Sequence, residues 1–154
     1  MPQMIQRKDD VVDQTCKGVE FLMKKNKIDV LHGHGSFVSA SKIKVTKEDG
    51  SSSEIDTKKV IIATGSKPIT PPAFAYDKNR VITSTEALNI KKVPKRMIVI
   101  GAGVIGLELG SVYARLGTEV EVIEYQDRIL PGMDKDCAKE PVSYTHLTLP
   151  TNRE

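Results

Sequence analysis

The residues from Arg96 to Glu124 read RMIVIGAGVIGLELGSVYARLGTEVEVIE, and this stretch decides the fold. Arg96 to Ile100 is mostly apolar, which is typical of a buried strand, and it runs directly into a glycine-rich turn. The following residues predict a helix that continues to about Leu116 and ends at Gly117, because glycine commonly terminates helices. Val120 to Glu124 predicts a second strand. The order strand, turn, helix, strand indicates one βαβ unit with parallel strands.

The turn contains Gly101, Gly103 and Gly106 in the spacing G-x-G-x-x-G that is typical of dinucleotide-binding folds. Gly101 allows the tight turn, Gly103 lets a pyrophosphate approach the backbone, and Gly106 allows the helix to pack close to the strand. The N-terminus of the helix adds N–H donors and a positive potential for phosphates. The alternative interpretation is an ordinary glycine turn, and the complete strand–turn–helix–strand context disfavours it.

Glu124 lies 23 positions after Gly101, near the spacing of about 20 at which this fingerprint carries an acidic residue. Its carboxylate could accept hydrogen bonds from the adenosine ribose hydroxyls and would repel a 2′-phosphate, which favours NAD over NADP. Arg128 complicates this prediction because an arginine can pair with a phosphate, although it could equally be a solvated charge. Glu108 has two open interpretations: a carboxylate that favours the positive end of the helix dipole, or a functional group.

The chain has 154 residues, of which 39% are apolar and 28% charged, and its net charge is +3. This composition is too apolar for a disordered chain, and no apolar run reaches the roughly 18 residues that a transmembrane helix needs. We therefore expect no membrane partner. Because the basic residues are scattered, we expect no nucleic-acid partner either. The N-terminal residues lack the apolar core of a secretory signal.

Few residues outside the turn suggest chemistry. Cys16 and Cys137 form no CxxC or metal motif, and two cysteines do not make a disulfide framework, which favours a cytoplasmic or organelle-matrix location. His32 and His34 would share one face of a strand, but no third ligand lies nearby in sequence, so no metal site is predicted. No Ser/His/Asp set is evident.

The N-terminal part of the chain begins with a helical pattern. Asp9 to Lys27 predicts a helix on which Cys16 shares an apolar face with Val12, Val19 and Met23. We therefore expect Cys16 to be a packed small side chain rather than a nucleophile.

The pattern then changes to that of strands. Alternating residues predict a strand at Lys42 to Thr46, with a turn at Glu48 to Ser51 and a returning strand at Ser53 to Asp56. Ser36 to Ser39 is a further strand candidate. Val60 to Ala63 is a continuous apolar run, which predicts a strand buried on both faces.

A proline-containing connector follows at Ser66 to Lys78, where we expect neither a helix nor a central strand. Val81 and Ile82 are predicted to form a short strand. Next comes a short helix through Leu88, capped by Ser84 or Thr85 and carrying Glu86 in its first turn.

The last residues divide into two parts. Asp134 to Glu140 predicts the opening of another helix. Residues 141–154 lose the helical period and are bracketed by prolines, so we expect a removable tail, either disordered or foreign to the rest of the chain.

Three of these stretches together resemble the dihydrolipoamide dehydrogenases, which are flavoproteins of the pyridine nucleotide–disulfide oxidoreductase family. They are VIIATGSKP at 60–68, STEAL at 84–88 and KRMIVIGAGVIGLELGSVYARLGTEVEVIEYQDRILPGMD at 95–134. The resemblance covers about residues 4–140.

The resemblance implies an α/β fold with Rossmann-like parallel sheet units and an antiparallel β insert. Residues 1–93 would be the later part of an FAD-binding domain with its connector, and residues 94–140 the first βαβ unit of an NAD-binding domain. Residues 141–154 would be a non-native or disordered tail. The chain would then hold an incomplete FAD domain followed by the start of an NAD domain, as an internal fragment of a longer enzyme.

The resemblance also implies FAD and NAD as cofactors. Four residues match family positions that contact FAD: Gly35, Thr64, Gly65 and Ser66. From the residues alone, an ordinary turn after a strand is the favoured interpretation of Thr64 to Ser66. The implied NAD site comprises Gly101, Ala102, Gly103, Val104, Ile105, Gly106, Leu107, Glu108 and Glu124. In the family, the carboxylate that matches Glu108 lies near the nicotinamide end.

The family reaction converts dihydrolipoamide and NAD⁺ to lipoamide and NADH, with electrons passing through a protein disulfide and FAD. This sequence contains no redox-active cysteine pair, no His-Glu base and no first GxGxxG motif for FAD, so we assign no catalytic residue and expect the chain alone to be inactive. The implied partners are a lipoyl domain of a 2-oxo acid dehydrogenase complex and a second copy in a homodimer. The alternatives are a sibling flavoprotein disulfide reductase or NADH oxidase, and a non-catalytic dinucleotide-binding module.

Overall fold

The computed structural model describes residues 1–136 and 138 of the chain. The described chain forms two compact units, Lys8–Lys67 and the chain from Pro68 onward together with Met1–Arg7. In this part of the chain, no helix combines the length and the apolar character that a membrane span requires.

The first helix, α1, spans Pro2–Lys25 and therefore begins earlier than the predicted Asp9. Proline suits the first helical turn because its missing N–H would have no intrahelical partner there. The helix ends before the predicted Lys27, which adopts a left-handed conformation with φ of 55°. Next to it, the N–H of Ile28 donates to the carbonyl of Met23 at 3.0 Å, which closes the helix end.

The apolar face of α1 is not covered, since none of its residues is buried. Val12 and Val19 remain 53% and 48% exposed. Cys16 is exposed as well, so the prediction of a packed cysteine is wrong. The apolar stripe predicted the helix correctly, but packing also needs a second element against that stripe.

A three-stranded antiparallel sheet follows, with the order β1 (His34–Ser39), β2 (Lys42–Thr46) and β3 (Ser52–Asp56). The predicted hairpin is confirmed, and Val45 is its buried residue. Its turn is held by the Asp49 carboxylate, which accepts from the N–H of Ser51 at 2.8 Å and from its hydroxyl at 2.6 Å.

The segment Val60 to Ala63 is not a strand, so that prediction is wrong. Ile61 and Ile62 are 92% and 71% exposed. A buried strand obtains its backbone hydrogen bonds from neighbouring strands, and no strand of the described chain pairs with this run. Its apolar side chains therefore remain exposed.

The connector is irregular, as predicted, apart from a 3-10 turn at Pro72–Phe74. Val81 and Ile82 do not form the predicted strand. The reason is Asp77, whose Oδ1 accepts from the N–H groups of Asn79 and Arg80 at 2.8 Å and of Val81 at 2.9 Å. These bonds fold the segment into a loop.

Helix α2 spans Ser84–Ala87, and its cap is Thr83 rather than the predicted Ser84 or Thr85. The Thr83 hydroxyl accepts from the N–H of Thr85, and Glu86 accepts from the N–H of Thr83 at 2.8 Å, which completes a capping box. The hydroxyl and the N–H of Thr83, then the hydroxyl of Tyr76, lower the pKa of Glu86 to about 2.

The predicted βαβ unit is confirmed. Strands β4 (Arg96–Ile100) and β5 (Glu119–Ile123) are parallel, and helix α3 (Val104–Arg115) connects them. The helix ends as predicted at Gly117, where φ is 93°. However, β4 is not buried on both faces, because Ile98 and Ile100 are 57% and 58% exposed in this two-stranded sheet.

A small core lies beneath the glycine-rich turn. Its buried members are Ala102, Val122, Ile129, Leu130 and Ala138. The N–H of Ala138 donates to the carbonyl of Asp134 at 3.2 Å, as at the start of a helix. The rest of the predicted helix at 134–140 and the predicted tail at 141–154 lie outside the described residues.

The packing of α3 predicts opposite effects for two glycine-to-alanine substitutions. In Gly106→Ala the new methyl group would collide with the carbonyl oxygen of Gly101 and lie 3.1 Å from Cγ1 of Val99. We expect a loss of ~1–3 kcal/mol in the free energy of unfolding, as for other overpacked sites. In Gly110→Ala the methyl group would lie at an ordinary contact distance of 3.5 Å from Cγ1 of Val120. Because alanine favours a helix over glycine, we expect this variant to gain roughly 0.5–1 kcal/mol in the free energy of unfolding.

Urea unfolding of both variants and the wild type checks this expectation. A Gly106→Ala chain as stable as the wild type would show that the helix can move away from the strand at no cost.

Candidate functional site

The glycine-rich turn has the geometry that its sequence predicts. Gly101 adopts φ of +100°, which side chains rarely tolerate, and its N–H donates to the carbonyl of Ile123 at 2.8 Å. Gly103 is the N-cap of α3 in an extended conformation, with φ of −77° and ψ of 174°. Gly106 permits the close approach of α3 to the turn. Each glycine therefore has a different structural role.

The turn presents free donors at the start of α3. In the described part of the chain, the N–H groups from Gly103 to Gly106 have no backbone or side-chain acceptor, and no side chain caps the helix. Val104 and Ile105, the first two residues of the helix, are exposed. A Cβ at Gly103 would meet no atom within 4 Å, which leaves open space in front of the turn. This arrangement can bind an anionic group such as a phosphate.

Glu124 lies beside the turn, immediately after β5. Its Oε2 accepts from the N–H of Ala102 at 2.7 Å, and its Oε1 accepts from the N–H of Gln126 at 2.9 Å. Because both bonds favour the ionised form, first the one from Gln126 and then the one from Ala102, they lower the pKa of the Glu124 carboxyl below its ordinary 4.5. The site thus holds a fixed negative charge next to free N–H donors.

Arg128 is engaged by the backbone of its own loop. Its guanidinium donates to the carbonyl of Pro131 and, at 3.3 Å, to the carbonyl of Met133. These bonds occupy two of its nitrogen atoms and position it as a structural element of the loop. The structure therefore favours a role in loop structure over phosphate pairing for this side chain.

The remaining candidates of the predicted NAD site lie along α3. Leu107 continues the helix, and its N–H donates to the carbonyl of Gly103 at 3.0 Å. Glu108 follows as an exposed residue of the same helix. The βαβ unit thus brings Gly101 to Glu108 and Glu124 into one connected region.

The predicted FAD residues are not joined in this way. Gly35 lies in β1 opposite Val45. Thr64, Gly65 and Ser66 lie in an exposed segment without regular structure, in which Gly65 has φ of +71°. Between Gly35 and this segment, the described residues form no hydrogen bond.

Sequence patterns did not reveal how the loop after β5 supports the turn. Ile129 and Leu130 are buried against Ala102, and the N–H of Leu130 donates to the carbonyl of Ala102 at 2.9 Å. The available signal was the apolar pair itself, which follows the polar run from Gln126 to Arg128. It indicates burial but does not identify the residue that the loop contacts.

The described residues contain no cluster of three or more His, Cys, Asp or Glu that could hold a metal ion. Cys137 lies outside the described residues. A surface cavity of about 480 Å³ lies beside α2, between Lys78 and Lys91. The Glu86 carboxylate on its wall is already bonded to Tyr76 and Thr83.

Comparison with known proteins identifies related sequences along most of the chain. The profile of the family described as pyridine nucleotide-disulphide oxidoreductase matches residues 2–142. Dihydrolipoyl dehydrogenase 3 of Pseudomonas putida is 50% identical over 139 residues, which are 90% of this chain and 30% of that protein. The chain thus spans about 30% of the length of this curated relative.

Solved structures share the fold. The crystal structure of LpdA from Mycobacterium tuberculosis is 29% identical, with a TM-score of 0.86 over 96% of this chain and 34% of that one. The HOCl-induced flavoprotein disulfide reductase RclA from Escherichia coli is 31% identical, with a TM-score of 0.75 over 91% of this chain and 32% of that one. Both structural neighbours are more than twice as long as the part they share with this chain.

The lowered pKa of Glu124 predicts a specific pH dependence of stability. A carboxyl whose pKa is lower in the folded chain than in the unfolded chain stabilises the folded state. This stabilisation is fully present when the pH is above the ordinary pKa of 4.5, and it is lost as the pH falls through the folded-state pKa. Glu124→Gln removes the titrating group. Its free energy of unfolding should therefore fall less steeply with acid than that of the wild type, as measured by urea unfolding from about pH 6 to about pH 3.

Glu119→Gln is the control, because Glu119 is an exposed carboxylate at the start of β5, where it pairs with Arg96 at 3.7 Å. Parallel pH curves for the wild type and Glu124→Gln would contradict the expectation.

Proposed function

The chain belongs to the pyridine nucleotide-disulphide oxidoreductase family, and on this premise we propose that its βαβ unit binds NAD within an FAD-dependent dihydrolipoamide dehydrogenase. The family uses FAD and a pyridine nucleotide as cofactors. The relative from Pseudomonas putida is named a dihydrolipoyl dehydrogenase, which supports this choice of substrate. The proposed reaction of the whole protein converts dihydrolipoamide and NAD⁺ to lipoamide and NADH.

One observation carries the NAD part of this proposal: the same turn presents free N–H donors and lies beside a fixed carboxylate, which bonds the N–H of Ala102. The N–H groups from Gly103 to Gly106 fit a pyrophosphate, because they lack acceptors among the described residues and the space before Gly103 is open. Glu124 fits the ribose, because a carboxylate accepts hydrogen bonds from hydroxyl groups. The residues present therefore suit a dinucleotide.

Each group of the chain has a limited task in this proposal. The N–H groups of the turn bind and orient the pyrophosphate, and α3 adds the positive end of its dipole. The ionised carboxylate of Glu124 holds the ribose hydroxyls and repels a 2′-phosphate, so NAD is preferred to NADP. Glu108 is proposed to lie towards the nicotinamide, as its match to the family implies. NAD, when bound, supplies the hydride acceptor.

The FAD part rests on family membership and residue matches rather than on a formed site. Gly35, Thr64, Gly65 and Ser66 are the proposed FAD contacts. The positive φ of Gly65 is compatible with close approach of its backbone to a ligand, as is the small side chain of Ser66. These residues would hold FAD, which would supply the redox group between the dithiol substrate and NAD.

The partners of the whole protein are proposed from the same family membership. They are the lipoyl domain of a 2-oxo acid dehydrogenase complex and a second copy of the chain in a homodimer. The cytoplasm or a mitochondrial matrix is the proposed compartment, in agreement with a composition that shows no disulfide framework.

A second candidate function is that of another flavoprotein disulfide reductase. The similarity to RclA favours it, since 91% of this chain matches that structure at 31% identity. The two candidates share the proposed NAD site and differ in the disulfide or dithiol that is the substrate.

The proposed site predicts how cofactor preference responds to substitution. Glu124→Arg should lower the ratio of NADH to NADPH affinity, because it replaces a repelling charge with one that pairs with a phosphate. The substitution also removes the proposed hydrogen bond between the ribose of NADH and the Glu124 carboxylate. Losing a hydrogen bond to a charged group costs about 1.5–3 kcal/mol, so we expect the affinity ratio to change by roughly 10- to 150-fold. Calorimetric titration of the chain with NADH and NADPH measures the ratio.

Gly103→Val is the matched control. Its Cβ would meet no atom within 4 Å, and the side chain would fill the space before the turn, so it should weaken both nucleotides alike and leave their ratio unchanged. The proposal would be contradicted if the wild-type chain bound neither nucleotide, or if Glu124→Arg left the ratio unchanged.

The proposal also predicts no NAD-linked oxidation of dihydrolipoamide by the purified chain, even with FAD supplied. The sequence has only two cysteines, Cys16 and Cys137, and they do not form the redox pair of the family. Catalysis of this reaction requires a positioned nucleophile and an acid–base partner. NADH absorbance measures the turnover. Turnover above that of a no-protein control would contradict this expectation and would make Cys16 a candidate nucleophile.

A further inference from the structure

Ala102, between the first two glycines of the turn, is held through both of its backbone polar groups. Its N–H donates to Oε2 of Glu124 at 2.7 Å, and its carbonyl accepts from the N–H of Leu130 at 2.9 Å. The residue has 0% exposure. No other residue of the turn has a side-chain acceptor for its N–H in the described part of the chain, so the Glu124 carboxylate is the side-chain anchor of the turn.

The turn needs such an anchor because its own sequence does little to restrict it. Gly101 and Gly103 flank Ala102, and glycine has more accessible backbone conformations than any other residue. The N–H donors that would bind a phosphate begin at Gly103, directly after the anchored residue. Holding Ala102 therefore reduces the entropy that the turn would lose when it binds an anion.

The same carboxylate has enough acceptor capacity for two tasks at once. An ionised carboxylate offers about four lone-pair sites on its two oxygens. In the structure, Oε1 accepts one N–H, from Gln126, and Oε2 accepts one, from Ala102. About two sites remain, which matches the two vicinal hydroxyls of a ribose.

We propose that Glu124 is a positioning residue for the phosphate-binding turn, in addition to its proposed role as the ribose acceptor. This inference rests on the proposed NAD site and extends it. Glu124 then acts on the pyrophosphate indirectly, by holding Ala102 so that the N–H groups from Gly103 onward face the ligand. A residue that only reads the ribose would have no effect on a ligand without a ribose.

Hydrogen exchange of the ligand-free chain tests the anchor itself. In Glu124→Ala, the amide of Ala102 should exchange about 10- to 150-fold faster, the factor that corresponds to a charge-assisted hydrogen bond. Glu124→Gln should fall between Ala and wild type, because its one amide oxygen can still accept an N–H. The amide of Thr118, which donates to Tyr113 at the far end of α3, reports whether the βαβ unit remains folded.

Ligand binding tests the consequence, with inorganic pyrophosphate as the probe that has no ribose. If Glu124 positions the turn, Glu124→Ala should weaken pyrophosphate binding by several-fold. If Glu124 contributes only its negative charge, the same substitution should strengthen pyrophosphate binding, because it removes a charge that repels the anion. Glu119→Ala is the control for the loss of one negative charge away from the turn, because Glu119 is exposed at the start of β5, where it pairs with Arg96 at 3.7 Å. Phosphorus NMR titration measures both affinities, and NADH is titrated in parallel.

Faster exchange at Ala102 together with weaker pyrophosphate binding, at unchanged exchange of Thr118, would support the positioning role. Weaker NADH binding with unchanged Ala102 exchange and unchanged or tighter pyrophosphate binding would overturn it, while the proposed NAD site would stand. A wild-type chain that binds neither NADH nor pyrophosphate would overturn both the positioning role and the proposed function, even if Glu124→Ala speeds exchange at Ala102.

Discussion

The close approach of helix α3 to the glycine-rich turn is the constraint on which the βαβ unit depends. At Gly106 there is no room for even a methyl group, because the carbonyl of Gly101 occupies that space. This contact fixes where α3 begins, and so it fixes where the free N–H groups of the first helical turn lie. The parallel pairing of β4 with β5 then brings Glu124 to the same edge, since both strands end beside the turn.

The loop after β5 completes this arrangement from the other side. Ile129 and Leu130 supply much of the small core beneath the turn, and Leu130 also bonds the carbonyl of Ala102. Arg128 bonds the carbonyls of Pro131 and Met133 and so holds the loop together. This loop, which has no regular secondary structure, therefore supports the turn together with the helix.

Several apolar surfaces of the described chain have no partner in it. The stripe along α1, the run at Val60 to Ala63 and the outer residues of β4 are exposed. Their sequences are those of buried elements, and the chain spans about 30% of the length of its relative from Pseudomonas putida. The local pattern marks these residues as apolar, but it does not determine whether they are buried. Burial depends on elements that are distant in sequence.

The sequence by itself determined the order of elements in the βαβ unit, the structural roles of Gly101 and Gly106 in the turn and the position of the acidic residue after β5. These features follow from backbone conformation and residue spacing, which are local. Only the tertiary structure decided that Val60 to Ala63 is not a strand, that Asp77 folds Val81 into a loop, and that Glu124 bonds Ala102. Each of these outcomes depends on which hydrogen-bonding groups meet in space, and a carboxylate that is 22 positions from its donor gives no signal of that pairing in sequence.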